Sequence, residues 1–301
     1  MQQTICEEFV LYLLGTINIS YTLLYTVIVK IRKIYDNSQV TNALSTQVGT
    51  SEAIRLLNIR SIHNNSDNIK FRQWLAGLID GDGSFILSKK GYASLEITMD
   101  IRDERALQAV KNVYGGSIKL RSGVSALRYR LHNKQGLLNL IRDVNGHIRN
   151  PHRLIQLNNI CVKYDITLNY PEKLTRDNGW FSGFFDADGS ISINSSNWQV
   201  SISAGQKTSE ILAPLVELYG GHIYIDRGGH GSFKWYLTKK EDILNLIEYF
   251  KKYTSRSAKN NRLHLIPKLY ELKSKKAHIG PSNSLLSKSW SHFINKWNNY
   301  E

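Results

Sequence analysis

WLAGLIDGDGSF, residues 74–85, and WFSGFFDADGSI, residues 180–191, are two versions of one phrase: an apolar run holding a glycine, then acid, Gly. The second acids of the two copies are Asp82 and Asp188, 188 − 82 = 106 residues apart. Glycine in a helix interior costs about 1 kcal/mol relative to alanine. Gly77 and Gly183, beside Ala76 and Ser182, therefore predict two helices whose backbones pack in near contact. If those helices run the same way, their C-terminal ends meet, and so do Asp82 and Asp188. A carboxylate at a helix C-terminus opposes the macrodipole by a few tenths to about 1 kcal/mol, and two of them repel. A divalent cation resolves both penalties, and oxygen ligands suit Mg²⁺. An EF-hand is the nearest rival for Asp80-x-Asp82-x-Ser84. It fails because Phe85 or Ile191 stands where glycine is needed, and Gly91 or Asn197 where glutamate is needed.

Working outward, the same order of elements is expected twice. Motif helices over Phe71–Asp82 and Asn178–Asp188 lead into strands Ser84–Ser88 and Tyr92–Ile101, matched by Ser190–Asn194 and Trp198–Ala204. The period-two alternation of these strands means sheets with one buried and one wet face. Helices Arg102–Tyr114 and Thr208–Tyr219 each stop at a Gly-Gly pair. Second hairpins (Ser117–Ser122 with Leu127–His132, His222–Asp226 with Phe233–Thr238) and helices Lys134–Asp143, Pro151–Lys163, Lys240–Lys252 and Ala258–Leu272 complete the copies. The predicted class is α+β: two pseudo-symmetric αββαββα halves, residues 70–165 and 178–272, sharing a two-helix interface and joined by a linker over 166–177.

The flanks read differently. Residues 1–69 form a leader and linker whose stretch 9–29 is uncharged and largely apolar, and residues 273–301 read as a basic tail. A membrane anchor over 9–29 is the less favoured reading, since nothing after it resembles a membrane protein. Lys and Arg number 39 against 25 Asp and Glu, a net +14, which points to a polyanionic partner. Cys6 and Cys161, far apart, suggest neither a disulfide framework nor a zinc site. The Asn- and Ile-heavy composition is what an AT-rich genome encodes. His63-Asn64-Asn65 lacks the further ligands an HNH nuclease needs, and no phosphate-binding glycine loop, HExxH or nucleophile elbow is present.

Both motifs resemble those of the LAGLIDADG homing endonucleases and intron maturases, in the two-motif, single-chain form encoded within group I introns of mitochondrial genes. The resemblance covers most of residues 70–272. It implies that Asp82 and Asp188 bind metal, that the carbonyls of Gly81 and Ala187 also face it, and that Asp80 and Asp186 are mainly structural. It also implies a basic residue from each half's last helix, Arg153 and Lys259, both 71 residues past their acids. Gln206 matches the polar residue that positions pocket water in such proteins; the first half carries Ile101 or Asp100 there, which implies unequal pockets. The implied activity is Mg²⁺-dependent, site-specific double-strand DNA cleavage promoting intron homing. The alternative is a non-catalytic maturase that binds its own group I intron RNA. A monomer in the mitochondrial matrix is expected.

Strands with outward basic and polar side chains suit a β-ribbon in the major groove. Lys119 and Arg121, then Arg128, Arg130 and His132, share faces of their strands in the first half. Tyr224, Lys234 and Tyr236, with Arg227 near the turn, are offered by the second. Because the halves differ, a long, asymmetric DNA site is expected.

Overall fold

The computed structural model describes residues 67–226 and 231–299. The leader over 1–66 with its apolar stretch, and Arg227, lie outside the described residues. Among those described, no helix is long and apolar enough to cross a membrane.

Helix α1 runs through residues 67–82 and passes without a loop into β1 (Gly83–Leu87). There follow β2 (Ala93–Asp100), α2 (Glu104–Tyr114), β3 (Ser117–Leu120), β4 (Ala126–Leu131), α3 (Lys134–Val144) and α4 (Pro151–Lys163). The second half repeats the order: α5 (Trp180–Asp188), β5 (Gly189–Asn194), β6 (Gln199–Gln206), α6 (Ala213–Tyr219), β7 (His222–Asp226), β8 (Ser232–Leu237), α7 (Lys240–Lys252) and α8 (Lys259–Ser274). Each half is a four-stranded antiparallel sheet, ordered β1-β2-β4-β3 and β5-β6-β8-β7. Between the halves, residues 165–179 form neither helix nor strand.

One face of each sheet is apolar. Leu95, Ile97, Tyr129 and Leu131 in the first sheet, and Val200, Ile202, Trp235 and Leu237 in the second, are fully buried. The two halves even repeat a detail: Tyr129 Oη donates to the carbonyl of Gly115, and Trp235 Nε1 to that of Gly220, locking each Gly-Gly turn to its sheet. Gly116 and Gly221 take φ of +89° and +80°, where a side chain is strained.

Two expected boundaries shift for a physical reason. The helix expected from Thr208 begins only at Ala213, with Pro214 in its first turn. A helix from Thr208 would bury Pro214 in its interior, where it has no N–H to donate. The helix expected from Arg102 begins at Glu104, because Asp100 accepts from the Arg102 amide and folds Ile101–Asp103 into a 3-10 turn.

Residues 273–301, expected as a basic tail, hold a further helix, α9 (Leu285–Asn298). Ser284 caps it by accepting from the Ser287 amide. Its Trp290, Phe293 and Trp297 are buried. Trp290 meets Trp198 edge-to-face at 4.7 Å, and the Arg262 guanidinium lies 5.1 Å from the Trp297 ring centre. The three aromatics recur at helical spacing, so packing wins over the charge of the segment.

Candidate active site

The motif helices α1 and α5 pack backbone to backbone. A methyl group on Gly77 would overlap the carbonyl of Trp180 and stand 2.6 Å from the Phe184 amide nitrogen; one on Gly183 would overlap the carbonyl of Trp74 and stand 2.8 Å from the Leu78 nitrogen. The two contacts are reciprocal, as a pseudo-twofold axis between the helices requires.

The first acids of the motifs are consumed by this interface. Asp80, fully buried, accepts from Trp180 Nε1 across the helix pair at 2.7 Å and from the amides of Arg149 and Asn150 at 2.7 and 3.1 Å. Asp186 mirrors it, accepting from Trp74 Nε1 at 2.8 Å, from the Arg256 amide at 2.7 Å, and from the hydroxyls of Ser255 and Ser257. Burial pushes the Asp80 carboxyl up to about 7 against the pull of its donors. The guanidinium of Arg149 lies 5.7 Å from the Trp180 ring and that of Arg256 lies 5.0 Å from the Trp74 ring, backing each indole with a cation.

The second acids end the same helices and converge. A methyl group on Gly81 would stand 2.6 Å from Asp188 Oδ2, so the carboxylate of one half lies against the motif backbone of the other, next to Asp82. Both are half-buried. Burial first, and then the charge of Asp188, raise the Asp82 carboxyl to about 7; burial raises Asp188 to about 6, opposed by a hydrogen bond from Gln206 and by the charges of Lys259 and Arg153. This is a pocket with more negative charge than its surroundings solvate.

Lys259 and Arg153 reach it from different helical positions. Lys259 is the first residue of α8, and its Nζ donates to the carbonyls of Phe185, Asp186 and Ala187 at 3.1, 2.6 and 2.9 Å. Arg153 is the third residue of α4; its Nη2 donates to the carbonyl of Gly81 at 3.3 Å and its Nη1 to Gln156 Oε1 at 3.3 Å. Equal spacing from the acids thus gives a shared destination without an equal place in the helix. The carbonyls of Gly81 and Ala187, expected to face metal, here accept from these two cations. The last carbonyls of a helix have no partners within it and sit at its negative end, so a cation there is favoured twice.

Gln206 ends β6 and donates from Nε2 to Asp188 Oδ2 at 2.6 Å. The expectation that Ile101 or Asp100 occupies the matching place is corrected by register. Gly83 pairs with Ile97 and Gly189 with Ala204, so two residues on, Met99 stands where Gln206 stands. The offset between halves is 206 − 99 = 107 there, against 106 at the acids, because the hairpin from Gly189 to its partner Ala204 is one residue longer than that from Gly83 to Ile97. Met99 is buried, and Asp100 is tied to Arg102 Nε at 2.9 Å.

One participant was not anticipated. Asp103, buried in the 3-10 turn of the first half, accepts from the Ala258 amide at 2.8 Å, directly before Lys259. Its charge acts on both Lys259 and Asp82, and burial holds its own carboxyl above the usual range. No motif marks it, since the contact joins elements 155 residues apart.

The sheets present the expected basic residues on their wet faces. Lys119 lies opposite Arg128 and Tyr224 opposite Lys234, while Arg130 and Tyr236 follow on the same strands. Arg121 and His132 are exposed just beyond the ends of β3 and β4. Glu96 of β2 joins the first set, 2.7 Å from Arg130 Nε and 3.4 Å from Arg128 Nη1. At the matching place the second sheet has Ser203, opposite Tyr236.

Among the described residues, no group of three or more His, Cys, Asp and Glu side chains gathers as a metal cage. The donors available between the motif ends are two carboxylates and the amide of Gln206. That set fits Mg²⁺, which keeps several waters and is commonly held by one or two carboxylates.

The sequence profile of the LAGLIDADG endonucleases matches residues 75–147 and 181–270. This chain belongs to the LAGLIDADG endonuclease family. Members are in general divalent-metal-dependent nucleases. The chain is 43% identical over 302 residues to the intron-encoded RNA maturase bI4 of Saccharomyces cerevisiae, a match covering 88% of this chain but only 47% of that protein. It is 39% identical over 234 residues to the intron-encoded DNA endonuclease ai2b of Dictyostelium discoideum, covering 74% of this chain and 88% of that one. The LAGLIDADG homing endonuclease I-LtrWI, solved bound to its target DNA, has the same fold, with a TM-score of 0.55 over 77% of this chain and 98% of its own at 17% identity.

Proposed function

We propose that this LAGLIDADG protein is a site-specific endonuclease that cuts both strands of duplex DNA by hydrolysis, promoting the homing of a group I intron. The observation that carries the reading is the meeting of Asp82 and Asp188 at the ends of two interlocked helices, with Arg153 and Lys259 over them. Asp82 and Asp188 are the residues that would hold Mg²⁺. When bound there, a divalent cation supplies Lewis-acid activation of water and stabilisation of the leaving 3′ oxygen. In hydrolysis a bond from water oxygen to phosphorus forms and the bond from phosphorus to the 3′ oxygen breaks. The attacking water gives up a proton to solvent and the departing 3′ oxygen takes one up from solvent, so the products are a 5′ phosphate and a 3′ hydroxyl. Lys259 and Arg153 are placed to meet charge growing on the phosphate oxygens. Gln206, a donor and acceptor, orients Asp188 and the water beside it.

Duplex DNA is the partner, read by Lys119, Arg121, Arg128 and Arg130 from one sheet and by Tyr224, Lys234 and Tyr236 from the other, with Arg227, which follows Asp226 in the sequence, as a further cation. The different faces call for a long, asymmetric site bound by one copy of the chain. The AT-rich coding signature supports an organelle-encoded protein of the mitochondrial matrix. The test is cleavage of a plasmid carrying the intronless insertion site. Asp82→Asn and Asp188→Asn should each abolish linear product while binding the site within a few-fold of the parent. Normal cutting by both variants would remove this centre from the reaction.

A second role, assisting the splicing of its own intron RNA, is supported by the 43% identity to a named RNA maturase over most of the chain. The protein should then speed splicing of that intron at low Mg²⁺; no change in rate removes the role.

A further inference from the structure

Helices α8 and α9 enclose a groove of about 610 Å³ that the cleavage centre does not use. Its walls are basic: Lys288, His292 and Lys296 line the α9 side and Lys268 the α8 side. Its floor and lip are apolar, including Leu272 and an 83% exposed Leu285. The three α9 residues recur every four positions, so they form one stripe along the helix, with a rise of about 6 Å between neighbours. All three are exposed. From Leu272 to Tyr300 the chain carries five lysines and two histidines but no Asp or Glu. Glu271 is the nearby acid, and it is already shared between Lys268 and Lys275 at 2.8 and 2.6 Å.

We propose that this groove is a second polyanion site and that its ligand is single-stranded RNA. A regular cationic stripe matches a phosphate backbone. The apolar floor decides the kind of nucleic acid: a duplex hides its base faces, whereas an unpaired strand can lay them on an apolar surface. The groove belongs to the helix layer, whereas the cations placed for duplex DNA lie on the wet faces of the sheets. The two nucleic acids therefore have separate seats on one chain. The site deepens the splicing role and does not depend on DNA cleavage by Asp82 and Asp188.

The test uses the whole protein and a labelled oligouridylate of about twenty nucleotides, longer than the usual site size of such grooves, read by fluorescence anisotropy across a salt series. K288E/K296E should weaken RNA binding about tenfold or more, and the salt slope should flatten by about 1.4 for two lost phosphate contacts. Plasmid cutting should stay within about twofold of the parent, a tenfold loss being the 1.4 kcal/mol scale on which a real effect would register. K288Q/K296Q, a milder change at the same exposed positions, gives the same reading if the charge-reversed pair folds poorly. The proposal is overturned if RNA affinity is unchanged in both variants, or if RNA binding and DNA cutting fall together. It is also overturned if polyglutamate displaces the RNA at matched charge, which would assign the groove to an acidic protein segment. Failure of the parent to cut DNA would instead sink the endonuclease reading and leave the RNA result standing.

Discussion

The two halves agree closely at the helix interface and part company at the chemistry. Gly77 and Gly183 interlock in the same manner, and Trp74 and Trp180 donate to Asp186 and Asp80 in mirrored bonds. Yet Asp188 has Gln206 bonded to it, while the matching register position in the first half is a buried Met99. The first sheet carries an arginine pair gripped by Glu96; the second puts Ser203 and Tyr236 in that place. Symmetry is kept where two backbones must fit one another, because any change there collides. It is lost beside the second acids and on the wet faces of the two sheets.

The largest effect should test the shared part. Gly77→Ala and Gly183→Ala each drive a methyl into backbone, where side-chain rearrangement cannot relieve it, and each should cost about 3 kcal/mol or more. Urea denaturation should give matched losses; a difference beyond about 1 kcal/mol would show that the interface is less symmetric than its contacts.

Next comes pH. The carboxyls of Asp82 and Asp188 sit near 7 and 6, above the ordinary 3.8, so the fold binds protons more tightly than the unfolded chain does. Their contribution to metal-free stability is therefore most favourable below about pH 4 and is lost as pH rises toward 7. Asp82→Asn should raise the thermal midpoint at pH 8 by several degrees and leave it unchanged at pH 4. Asp188→Asn should do so by less. Added Mg²⁺ should stabilise the parent at pH 8 far more than at pH 5, and equal gains at both would break the argument.

The difference between pockets is sharpened by Gln206→Ala. One strand should be cut about tenfold more slowly, about 1.4 kcal/mol in barrier, so nicked circles accumulate before linear product. Equal slowing of both strands would mean that Gln206 serves the centre as a whole. The smallest effect belongs to Glu96→Gln. Its ion pairs are partly solvated and should be worth under about 1 kcal/mol to stability, while base preference under the first sheet should broaden. Unchanged preference in a randomised site would make Glu96 a bystander.

Much of this was legible in the chain. The paired motifs, the strand alternation and the Gly-Gly stops each obey local rules, and Pro151–Lys163 and Lys240–Lys252 are helices over their expected spans. What escaped needed distance or register. A one-residue difference in hairpin length moves the counterpart of Gln206 to Met99, and pairing alone reveals it. The Asp103–Ala258 bond joins the halves with no sequence signature. For α9 the signal lies in Trp290, Phe293 and Trp297, with Ser284 ahead of them, but the lysines between give the segment the composition of a tail. Arg153 and Lys259, by contrast, are marked by their equal spacing from the acids, and both donate to motif carbonyls, those of Gly81 and Ala187.

The crossed indole bonds have a consequence for how such a molecule can be divided. Cut at the linker, each half would keep a sealed carboxylate and lose the tryptophan that quiets it, so neither piece should stand by itself in water. A freed half could recover only by finding a surface bearing the same tryptophan and acid, which a twin of itself supplies. Tandem fusion of two such twins therefore calls for no new chemistry at the seam, and each copy is then at liberty to drift everywhere except along it.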